Sequence, residues 1–530
     1  MTAPVTAAGV LRHQADRRGE QTFLLAGDRS WSYREAREDA SALAVALSGL
    51  GVEAGDRIAV DLPNWPESVI VTLAAAELGA VVVPLNPGYT SRELQFMLRN
   101  SEATVAVTPE QHGDTDYLQL FESLLVELPA LQYLVTVGEE DLWYDDRIFQ
   151  FEDLLSSGRG RNWTPPETAP EEEFGILYTP GTTGKPKGVV LTHANLVRTA
   201  RRTAEALSLE PDDRTLCSVP LFHIFGFGAA LFTVLCSGST LLLQERFEAS
   251  EALELMERHR VTVFHGVPTM FVMALREEGL EERDLSPLRT GIVAGAPVDE
   301  RLIRRARREL AEGLEIAYGL TETSPTVSMT RPSDDEERRS TTVGRPLEGV
   351  EVRILDEEGE AVPRGESGEI GVRGYNVMQG YFRQPGETAS SFTDAGFFRT
   401  GDLAIRDEDG YLRVVGRKSD VILRGGYNVH PREVEDHLRS HPAVLDAVVV
   451  GVPHDVMGEL VCACVHAVEG AIVSEDELRE YCESALADYK VPDLVRFYDE
   501  LPRTPDGKAS RRELARSVRE EETPPPAERD

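Results

Sequence analysis

The sequence predicts an α/β protein with a large N-terminal domain of helix-covered, mostly parallel sheets, a small β-rich subdomain and a small α+β C-terminal domain. Three observations lead to this fold class. From residue 57 onward, short apolar runs alternate with helical patterns, as they do in parallel sheets covered by helices. From about Gly344 the pattern changes to short strands separated by turns. A last segment after Asp420 has its own mixed pattern, and 530 residues exceed the size of one core.

The N-terminal alternation begins at RIAVDLP, which predicts a strand. It continues through a helix (PESVIVTLAAAELGA), a strand (VVVPLN), a helix (SRELQFMLRN) and a strand (TVAVTP), with Ser91 as the expected capping residue of the second helix. A polar, proline-rich linker follows near 162–173, and after it GILYT, TLLLQ, VTVFHG and TGIVAG predict further strands. The sequence VDERLIRRARREL predicts an amphipathic helix whose arginines face solvent.

The second half of the chain has shorter elements. VEVRILDEEGEAV, GEIGVRG and GYLRVVGR predict strands, VCACV predicts a buried strand, and HPREVEDHLRSHPAVLDAVVVGV predicts a helix followed by a strand. The charged, proline-rich end REEETPPPAERD predicts a disordered tail. The expected organisation is an N-terminal domain at 1–416 with its β-rich subdomain at about 344–416, a C-terminal domain at 417–516, and a tail at 517–530.

The charge of the chain argues against nucleic-acid binding. The chain carries 91 acidic and 55 basic residues, a net charge of −36, whereas nucleic-acid contacts require a basic surface. Only five of the basic residues are lysine. Since salt screens self-repulsion, a carboxylate-rich and lysine-poor surface is typical of a halophilic protein. The remaining lysines are then expected at positions that require a compact ammonium group.

Neither membrane insertion nor secretion is expected. The longest apolar stretch, Phe225 to Gly238, is shorter than the roughly 20 residues of a transmembrane helix. The chain starts without a basic segment followed by an apolar one, and its five cysteines lack metal-ligand spacing. These features predict a reduced, cytoplasmic protein that is not an integral membrane protein. Monomer and homodimer both stay open.

The stretch YTPGTTGKPKG, from Tyr178 to Gly188, is typical of a phosphate-binding loop. Glycines let backbone N–H groups approach an anion closely, threonine hydroxyls add donors, and lysines add positive charge. The stretch does not follow the Walker A pattern. The residues expected to hold phosphate groups are Thr179, Gly181, Thr182, Thr183, Gly184 and Lys187.

This loop is similar to the signature of the adenylate-forming superfamily, which contains acyl-CoA synthetases, adenylation domains of peptide synthetases and beetle luciferases. Seven further motifs match in order, so the resemblance covers essentially the whole chain: PLFHIFG, AGAP, YGLTET, VGRP, FFRTGD, GRKSDVILRGGYNVHPREVE and LPRTPDGKASRREL. The resemblance implies a C-terminal domain that pivots at GRKSD. It also implies an AMP-forming ligase that uses ATP, Mg²⁺ and coenzyme A to convert a carboxylic acid into its CoA thioester through an acyl-adenylate.

The resemblance assigns a role to each matching residue in the nucleotide site. Glu322 would hold Mg²⁺ with help from Thr179, and Thr321 would contact the α-phosphate. Asp402 would accept hydrogen bonds from the ribose hydroxyls, with assistance from Arg417. The adenine slot would consist of Gly295, Ala296, Pro297 and Tyr318.

The resemblance also assigns the moving parts. Lys508, in PDGKAS, would bridge the substrate carboxylate and the α-phosphate in the first step. Gly425 and Gly426 would help to form the pantetheine tunnel in the second step, although a plain turn is an equally good interpretation. The pivot residue is one of Lys418, Ser419 and Asp420.

The acid substrate is predicted from the apolar segments. His223, between aromatic residues, would gate the acyl or thiol path, and the uncharged GVPTMFVMAL would line the acyl pocket through Val267, Met270 and Met273. Acetate-specific relatives narrow the pocket with a tryptophan where this chain has Gly319, so a deeper pocket is expected. Medium- or long-chain fatty acids are the predicted substrates. An aryl acid, or a carrier protein in place of CoA, is the alternative.

Overall fold

The computed structural model describes residues 3–140, 145–179, 186–454, 456–503 and 509–522. Contacts divide the chain into two compact units, one formed by residues up to 351 together with 372–398, the other by 352–371 together with the residues from 399 onward. The predicted α/β class, with parallel sheets in a large N-terminal part and a small C-terminal part, is confirmed. The predicted domain bounds, with the division at residue 416, stay a prediction.

The first unit contains a nine-stranded sheet that is parallel through its centre. Because parallel neighbours point the same way, the carboxyl ends of the central strands lie along one edge. In spatial order the strands are Arg345–Pro346, Ser328–Met329, Gly313–Tyr318, Thr290–Val293, Val263–His265, Arg214–Cys217, Thr240–Leu243, Thr22–Ala26 and Arg29–Ser32. The first two and the last are antiparallel to their neighbours.

An eight-stranded sheet completes the framework of the first unit. Its two antiparallel strands lie at one edge, and the remaining strands are parallel and largely buried, as expected for a sheet covered on both faces. In spatial order the strands are Gly380–Tyr381, Lys187–Thr192, Glu173–Thr179, Val81–Pro84, Arg57–Val60, Ala103–Pro109, Tyr133–Val137 and Ile148–Gln150. A small hairpin joins Gln111–His112 to Thr115–Asp116.

Helices cover these sheets, and the helix Pro66–Leu78 is buried along its whole length. The helices of the first unit are Ala7–Arg18, Tyr33–Gly49, Pro66–Leu78, Ser91–Ser101, Tyr117–Glu127, Phe151–Gly158, His193–Ala206, Phe225–Phe232 (a π-helix), Thr233–Ser237, Ala249–Arg258, Pro268–Ala274, Leu280–Glu282 (3-10), Glu300–Glu309, Thr321–Thr323 (3-10), Glu336–Thr341 and Pro385–Ser390.

Two local expectations are wrong. Thr90, not Ser91, caps its helix, because the Thr90 hydroxyl accepts from the Glu93 N–H while the Glu93 carboxylate accepts from the Thr90 N–H. The helix Glu300–Glu309 does not keep all its arginines in solvent. Arg307 is buried beside Glu315 and donates to the Leu314 carbonyl oxygen at 2.8 Å.

The second unit holds a five-stranded sheet and most of a four-stranded sheet. Residues 351, 372, 373 and 398 of the four-stranded sheet belong to the first unit. The four-stranded sheet has the strands Glu351–Leu355, Ser367–Arg373, Phe398–Arg406 and Leu412–Arg417; the five-stranded sheet has Tyr427–Val429, Ile422–Arg424, Gly458–Ala467, Val444–His454 and Leu494–Phe497. The helices of the second unit are Lys418–Asp420 (3-10), Pro431–Arg439, Glu475–Glu483, Asp488–Lys490 (3-10) and Arg511–Glu522. Among the described residues, no helix combines the length and apolarity needed to cross a membrane.

The last helix corrects the predicted start of the tail at residue 517. Helix Arg511–Glu522 continues past that position because Leu514 and Val518, one turn apart on the same face, are both fully buried. Residues 523–530 lie outside the described part of the chain.

Candidate active site

The carboxyl edge of the nine-stranded sheet brings together four of the predicted motifs. Val293 pairs with Ile316 in neighbouring parallel strands, so the AGAP and YGLTET segments leave the sheet side by side. The next two strands, which end at His265 and Cys217, also pair with each other. They continue into the GVPTMFVMAL and PLFHIFG segments. Ligands in open parallel sheets bind at this edge, so the fold gathers nucleotide and acyl candidates that are remote in sequence.

The predicted adenine residues lie at the carboxyl ends of two neighbouring strands and are partly or fully accessible. Gly295 has φ +85°, a left-handed conformation that favours glycine, and a Cβ there would lie 3.2 Å from Val267 Cγ1. Gly295 and Pro297 are exposed, whereas Ala296 and Tyr318 are partly buried. Small residues next to an aromatic ring suit a planar heterocycle.

The turn that follows Tyr318 explains the glycine at position 319. The Val327 N–H donates to the Tyr318 carbonyl oxygen at 2.8 Å, and a Cβ on Gly319 would lie 1.5 Å from the Pro325 carbonyl oxygen. The backbone therefore excludes every side chain at position 319. The glycine is a requirement of this turn and does not by itself measure the depth of an acyl pocket. Thr321 follows in a short 3-10 helix and is buried.

The phosphate loop connects two antiparallel strands of the eight-stranded sheet. Thr179 is the last residue of one strand and pairs directly with Lys187, the first residue of the next. Gly181, Thr182, Thr183 and Gly184 lie outside the described residues. The Lys187 ammonium forms an ion pair with Glu387 and lies 5.0 Å from the centre of the Tyr381 ring. Lys187 is thus held by Glu387 and Tyr381 at the point where the strand after the loop begins.

The Tyr381 hydroxyl connects this lysine to the predicted metal ligand. It donates to Glu322 Oε1 at 3.0 Å, and the Met378 N–H donates to the Glu322 carbonyl oxygen at 2.9 Å. Burial and the nearby Glu322 charge raise the pKa of Tyr381 well above its usual value, so the hydroxyl keeps its proton. Sequence reasoning missed Tyr381 and Glu387, although an aromatic and an acidic residue in the glycine- and proline-containing GYFRQPGET were a usable signal.

The donor set fits a Mg²⁺ ion that arrives with a nucleotide. Glu322 supplies a partly buried carboxylate, and Thr179 stands at the start of the phosphate loop. Mg²⁺ is commonly bound by one or two carboxylates together with substrate phosphates. Within the described ranges, no group of three or more His, Cys, Asp and Glu side chains could hold a metal ion. The site therefore matches a shared protein–phosphate site better than a metal cage made by the protein alone.

The predicted acyl residues differ in their surroundings. Val267 and Met270 pack against the hydrophobic core, whereas Met273 is 50% exposed and lies at the surface. His223 Nδ1 accepts the Phe225 N–H at 3.2 Å, which places the proton of the neutral ring on Nε2. Gly226 is needed in this turn because a Cβ there would lie 2.2 Å from the Pro220 carbonyl oxygen.

In the second unit, Asp402 and Arg417 face each other on adjacent strands. Their backbones are in register, and Arg417 Nε donates to Asp402 Oδ1 at 2.8 Å. Asp402 is only 5% exposed. Sequence reasoning missed Glu369, whose carboxylate accepts from the Gly401 N–H at 3.0 Å and pairs with Arg399 at 2.8 Å. Glu369 therefore holds the strand segment that carries Asp402.

Gly425 and Gly426 form the two-residue turn of a β-hairpin. Their φ values, +57° and +87°, are both positive, as a type I′ turn requires. Lys418, Ser419 and Asp420 form a short 3-10 helix, in which the Ser419 hydroxyl donates to Asp420 at 2.9 Å. Lys508 lies outside the described residues. Contact of the hairpin with CoA, the identity of the pivot and the role of Lys508 stay predictions.

Comparison with known families agrees with these motifs. The AMP-binding enzyme family matches residues 11–382, and its C-terminal domain family matches residues 433–508. The chain belongs to the AMP-binding enzyme family. This family membership confirms the predicted adenylate-forming superfamily.

Curated proteins that are similar to this AMP-binding enzyme include CoA ligases. The 3-[(3aS,4S,7aS)-7a-methyl-1,5-dioxo-octahydro-1H-inden-4-yl]propanoyl:CoA ligase of Mycobacterium tuberculosis is 36% identical, covering 97% of this chain and 98% of the relative. The mitochondrial medium-chain acyl-CoA ligase ACSF2 of Rattus norvegicus is 32% identical, covering 91% and 82%. The crystal structure of ATP-bound MatB from Rhodopseudomonas palustris is 30% identical with a TM-score of 0.89, covering 98% and 100%. This AMP-binding enzyme is an acid–thiol ligase of the acyl-CoA ligase family.

Proposed function

We propose that this enzyme activates a medium- or long-chain fatty acid with ATP and then transfers the acyl group to coenzyme A, releasing AMP and pyrophosphate. The observation that carries the proposal is the connection from Lys187, at the phosphate loop, through Tyr381 to Glu322. It supports the proposal because it holds the Lys187 ammonium and the Glu322 carboxylate at fixed positions in the first unit, where they would bind phosphate and a divalent metal.

In the first step, a carboxylate oxygen of the acid attacks the α-phosphorus of ATP. The bond from that phosphorus to the β-bridging oxygen breaks, and pyrophosphate leaves with the electron pair. Since every reacting partner is an anion, positioning and charge neutralisation supply most of the rate enhancement. Lys187 and the loop hold the β- and γ-phosphates, Thr321 contacts the α-phosphate, and Lys508 bridges the α-phosphate and the acid. Glu322 and Thr179, together with the phosphates, would hold Mg²⁺, which would neutralise further negative charge.

The nucleoside is held by two groups of residues. Gly295, Ala296, Pro297 and Tyr318 take the adenine. The Asp402 carboxylate accepts from both ribose hydroxyls, and its pairing with Arg417 at 2.8 Å supports this role by orienting the carboxylate.

In the second step, the CoA sulfur attacks the acyl carbonyl carbon, AMP leaves with its oxygen, and the thiol proton passes to solvent. The C-terminal domain reorients about the segment Lys418–Asp420, bringing the hairpin of Gly425 and Gly426 to the pantetheine arm. His223 lies on the acyl or thiol path.

The choice of acid rests on the apolar wall and on the relatives. Val267 and Met270 offer an uncharged surface, which suits a hydrocarbon chain. ACSF2 is named for medium-chain acids. The mycobacterial relative is named for an acid with two fused, non-aromatic rings, and one similar solved structure is named as an anthranilate CoA ligase. These two names favour a ring-bearing or aryl acid as the second candidate. The cytoplasmic location and the oligomeric state stay predictions.

The test incubates the purified enzyme in molar KCl with ATP, Mg²⁺, CoA and a panel of acids, and detects AMP and thioesters by mass spectrometry. We expect AMP and acyl-CoA with straight-chain acids. Preference for aryl acids would favour the second candidate, and an adenylate without CoA turnover would favour loading of a carrier protein. If no acid leads to AMP, the proposed function is wrong.

A pair of lysine variants tests the phosphate site within the same protein. Lys187→Ala should abolish acid-dependent exchange of pyrophosphate into ATP. Lys490→Ala is the matched control, because its ammonium also pairs with a glutamate, at 2.6 Å, and the two lysine side chains are similarly buried, with 14% and 19% exposed. Equal loss in both variants would indicate a general effect of removing a paired lysine.

A further inference from the structure

We propose that Tyr381 is a positioning residue of the nucleotide site, whose hydroxyl orients the Glu322 carboxylate while its ring supports the Lys187 ammonium. The inference rests on the proposed function, which assigns Glu322 to Mg²⁺ and Lys187 to phosphate. It concerns a residue outside the motifs that carry the reacting groups.

The hydroxyl side of Tyr381 restricts Glu322. Its Oη donates to Glu322 Oε1 at 3.0 Å, and the backbone carbonyl of Glu322 is held by the Met378 N–H at 2.9 Å. The side chain and the backbone of Glu322 are thus both held by one short segment, 378–381. A carboxylate with one oxygen in a hydrogen bond loses rotational freedom, so it meets an incoming cation in a prepared orientation.

The ring side of Tyr381 supports Lys187. The ammonium lies 5.0 Å from the ring centre and pairs with Glu387, which restrains it from a second side. An arginine would serve an ordinary ion pair equally well, and 50 of the 55 basic residues are arginine. The presence of lysine here indicates that the position requires a compact charge that a phosphate oxygen can approach.

Tyr381 itself is fixed relative to the phosphate loop. It pairs with Val189 on the strand that begins at Lys187, and its N–H donates to the Thr388 hydroxyl at 2.9 Å. The residue is 9% exposed. One rigid side chain therefore sets the positions of the predicted metal ligand and the predicted phosphate lysine together.

The two functions of Tyr381 can be separated by substitution. Tyr381→Phe removes the hydrogen bond to Glu322 and keeps the ring beneath Lys187, whereas Tyr381→Leu removes both. The measurement is isothermal titration calorimetry of the full chain in molar KCl with α,β-methylene-ATP, once with Mg²⁺ and once with EDTA. The ratio of the two Kd values gives the gain in affinity that Mg²⁺ provides.

We expect the wild-type enzyme to bind the analogue more tightly with Mg²⁺ than with EDTA. Tyr381→Phe should lose about tenfold of this gain in affinity, the size expected for a hydrogen bond to a charged group. In EDTA, the affinity of Tyr381→Phe should stay within about twofold of the wild-type value. Tyr381→Leu should also bind more weakly in EDTA. Tyr375→Phe is the matched control, because the Tyr375 hydroxyl donates to the Glu348 carbonyl oxygen at 3.1 Å instead of to Glu322. It should behave as wild type.

A double-variant cycle distinguishes positioning from a general loss of stability. In a Glu322→Gln background, adding Tyr381→Phe should change the Mg²⁺ gain no further. An unchanged Mg²⁺ gain in Tyr381→Phe, or additive losses in the double variant, would overturn the inference while leaving the proposed function intact. Absence of analogue binding to the wild-type enzyme would instead refute the proposed function.

Discussion

Asp61 is a buried carboxyl group whose replacement by asparagine should stabilise the enzyme in a pH-dependent way. It follows the strand Arg57–Val60 and has no exposed surface. Among the described residues, neither of its carboxyl oxygens has a hydrogen-bond partner, and the hydroxyl of Thr108 on the neighbouring strand is likewise without one. Burial raises the pKa of Asp61 to about 7, because a charge is disfavoured in an apolar interior.

The magnitude follows from the difference between the folded and unfolded pKa values. An unfolded aspartate titrates near pH ~4, and each pH unit between the two values corresponds to about 1.4 kcal/mol. The folded protein keeps the proton longer than the unfolded chain, so stability falls as pH rises from about 4 to about 7 and then levels off. Above pH 7 the carboxyl group costs about 4 kcal/mol, which asparagine of the same shape would recover.

Thermal unfolding in molar KCl, followed by circular dichroism between pH 4 and pH 8, measures the effect. With roughly 2 cal/mol/K of unfolding entropy per residue over the larger unit, 4 kcal/mol corresponds to about 5 °C. Asp61→Asn should melt about 5 °C above wild type at pH 8, and the difference should vanish near pH 4. A difference of equal size at both pH values, or none, would refute the reasoning.

Asp213 is a control for Asp61, because its pKa is shifted in the opposite direction. Burial raises the pKa of its carboxyl, but hydrogen bonds from Arg289, Thr262 and the Glu210 N–H outweigh burial, so the net pKa is lowered. A lowered pKa adds stability that is present above the unfolded value and is lost as pH falls. Asp213→Asn should therefore melt below wild type at pH 8, with the deficit shrinking toward acid pH.

Three further predictions concern the catalytic role of Lys508, the backbone turn at Gly319 and the dependence of activity on salt. Lys508→Ala should lose adenylation by orders of magnitude yet still convert supplied acyl-adenylate into thioester, as single-step assays would show; equal loss of both steps would refute its role. Gly319→Ala should lower the melting temperature markedly, because its Cβ would overlap the Pro325 carbonyl oxygen at 1.5 Å, and an unchanged melt would show that the turn can relax. Activity and folding should peak in molar KCl, since screening offsets the net charge of −36; a maximum in dilute buffer would contradict the halophilic prediction.

Much of the fold could be predicted because the pattern is local. The strand–helix alternation in the first half matches the observed elements, including the strands Arg57–Val60 and Thr290–Val293. Periodicity reports which face of an element is apolar. It does not report what a polar residue on another face will meet, and so the burial of Arg307 beside Glu315 was missed. The capping hydroxyl was misplaced by one residue, from Thr90 to Ser91, because both are capping residue types.

The candidate site was predicted in part. The motifs identified Lys187 and Glu322 separately, since each belongs to a recognisable local pattern. Their connection through Tyr381 depends on the pairing of the strand Gly380–Tyr381 with Lys187–Thr192, which brings together residues far apart in the chain. Strand order and register arise from the packing of the whole sheet, and no local pattern encodes them.

The sequence by itself determined the class of this protein, through the order of its motifs and its apolar periodicity, because both are written in short stretches of residue types. Only the tertiary structure decided that Tyr381 contacts both Glu322 and Lys187 and why position 319 must be glycine. These depend on distances of a few ångströms between distant segments, which close packing sets for the molecule as a whole.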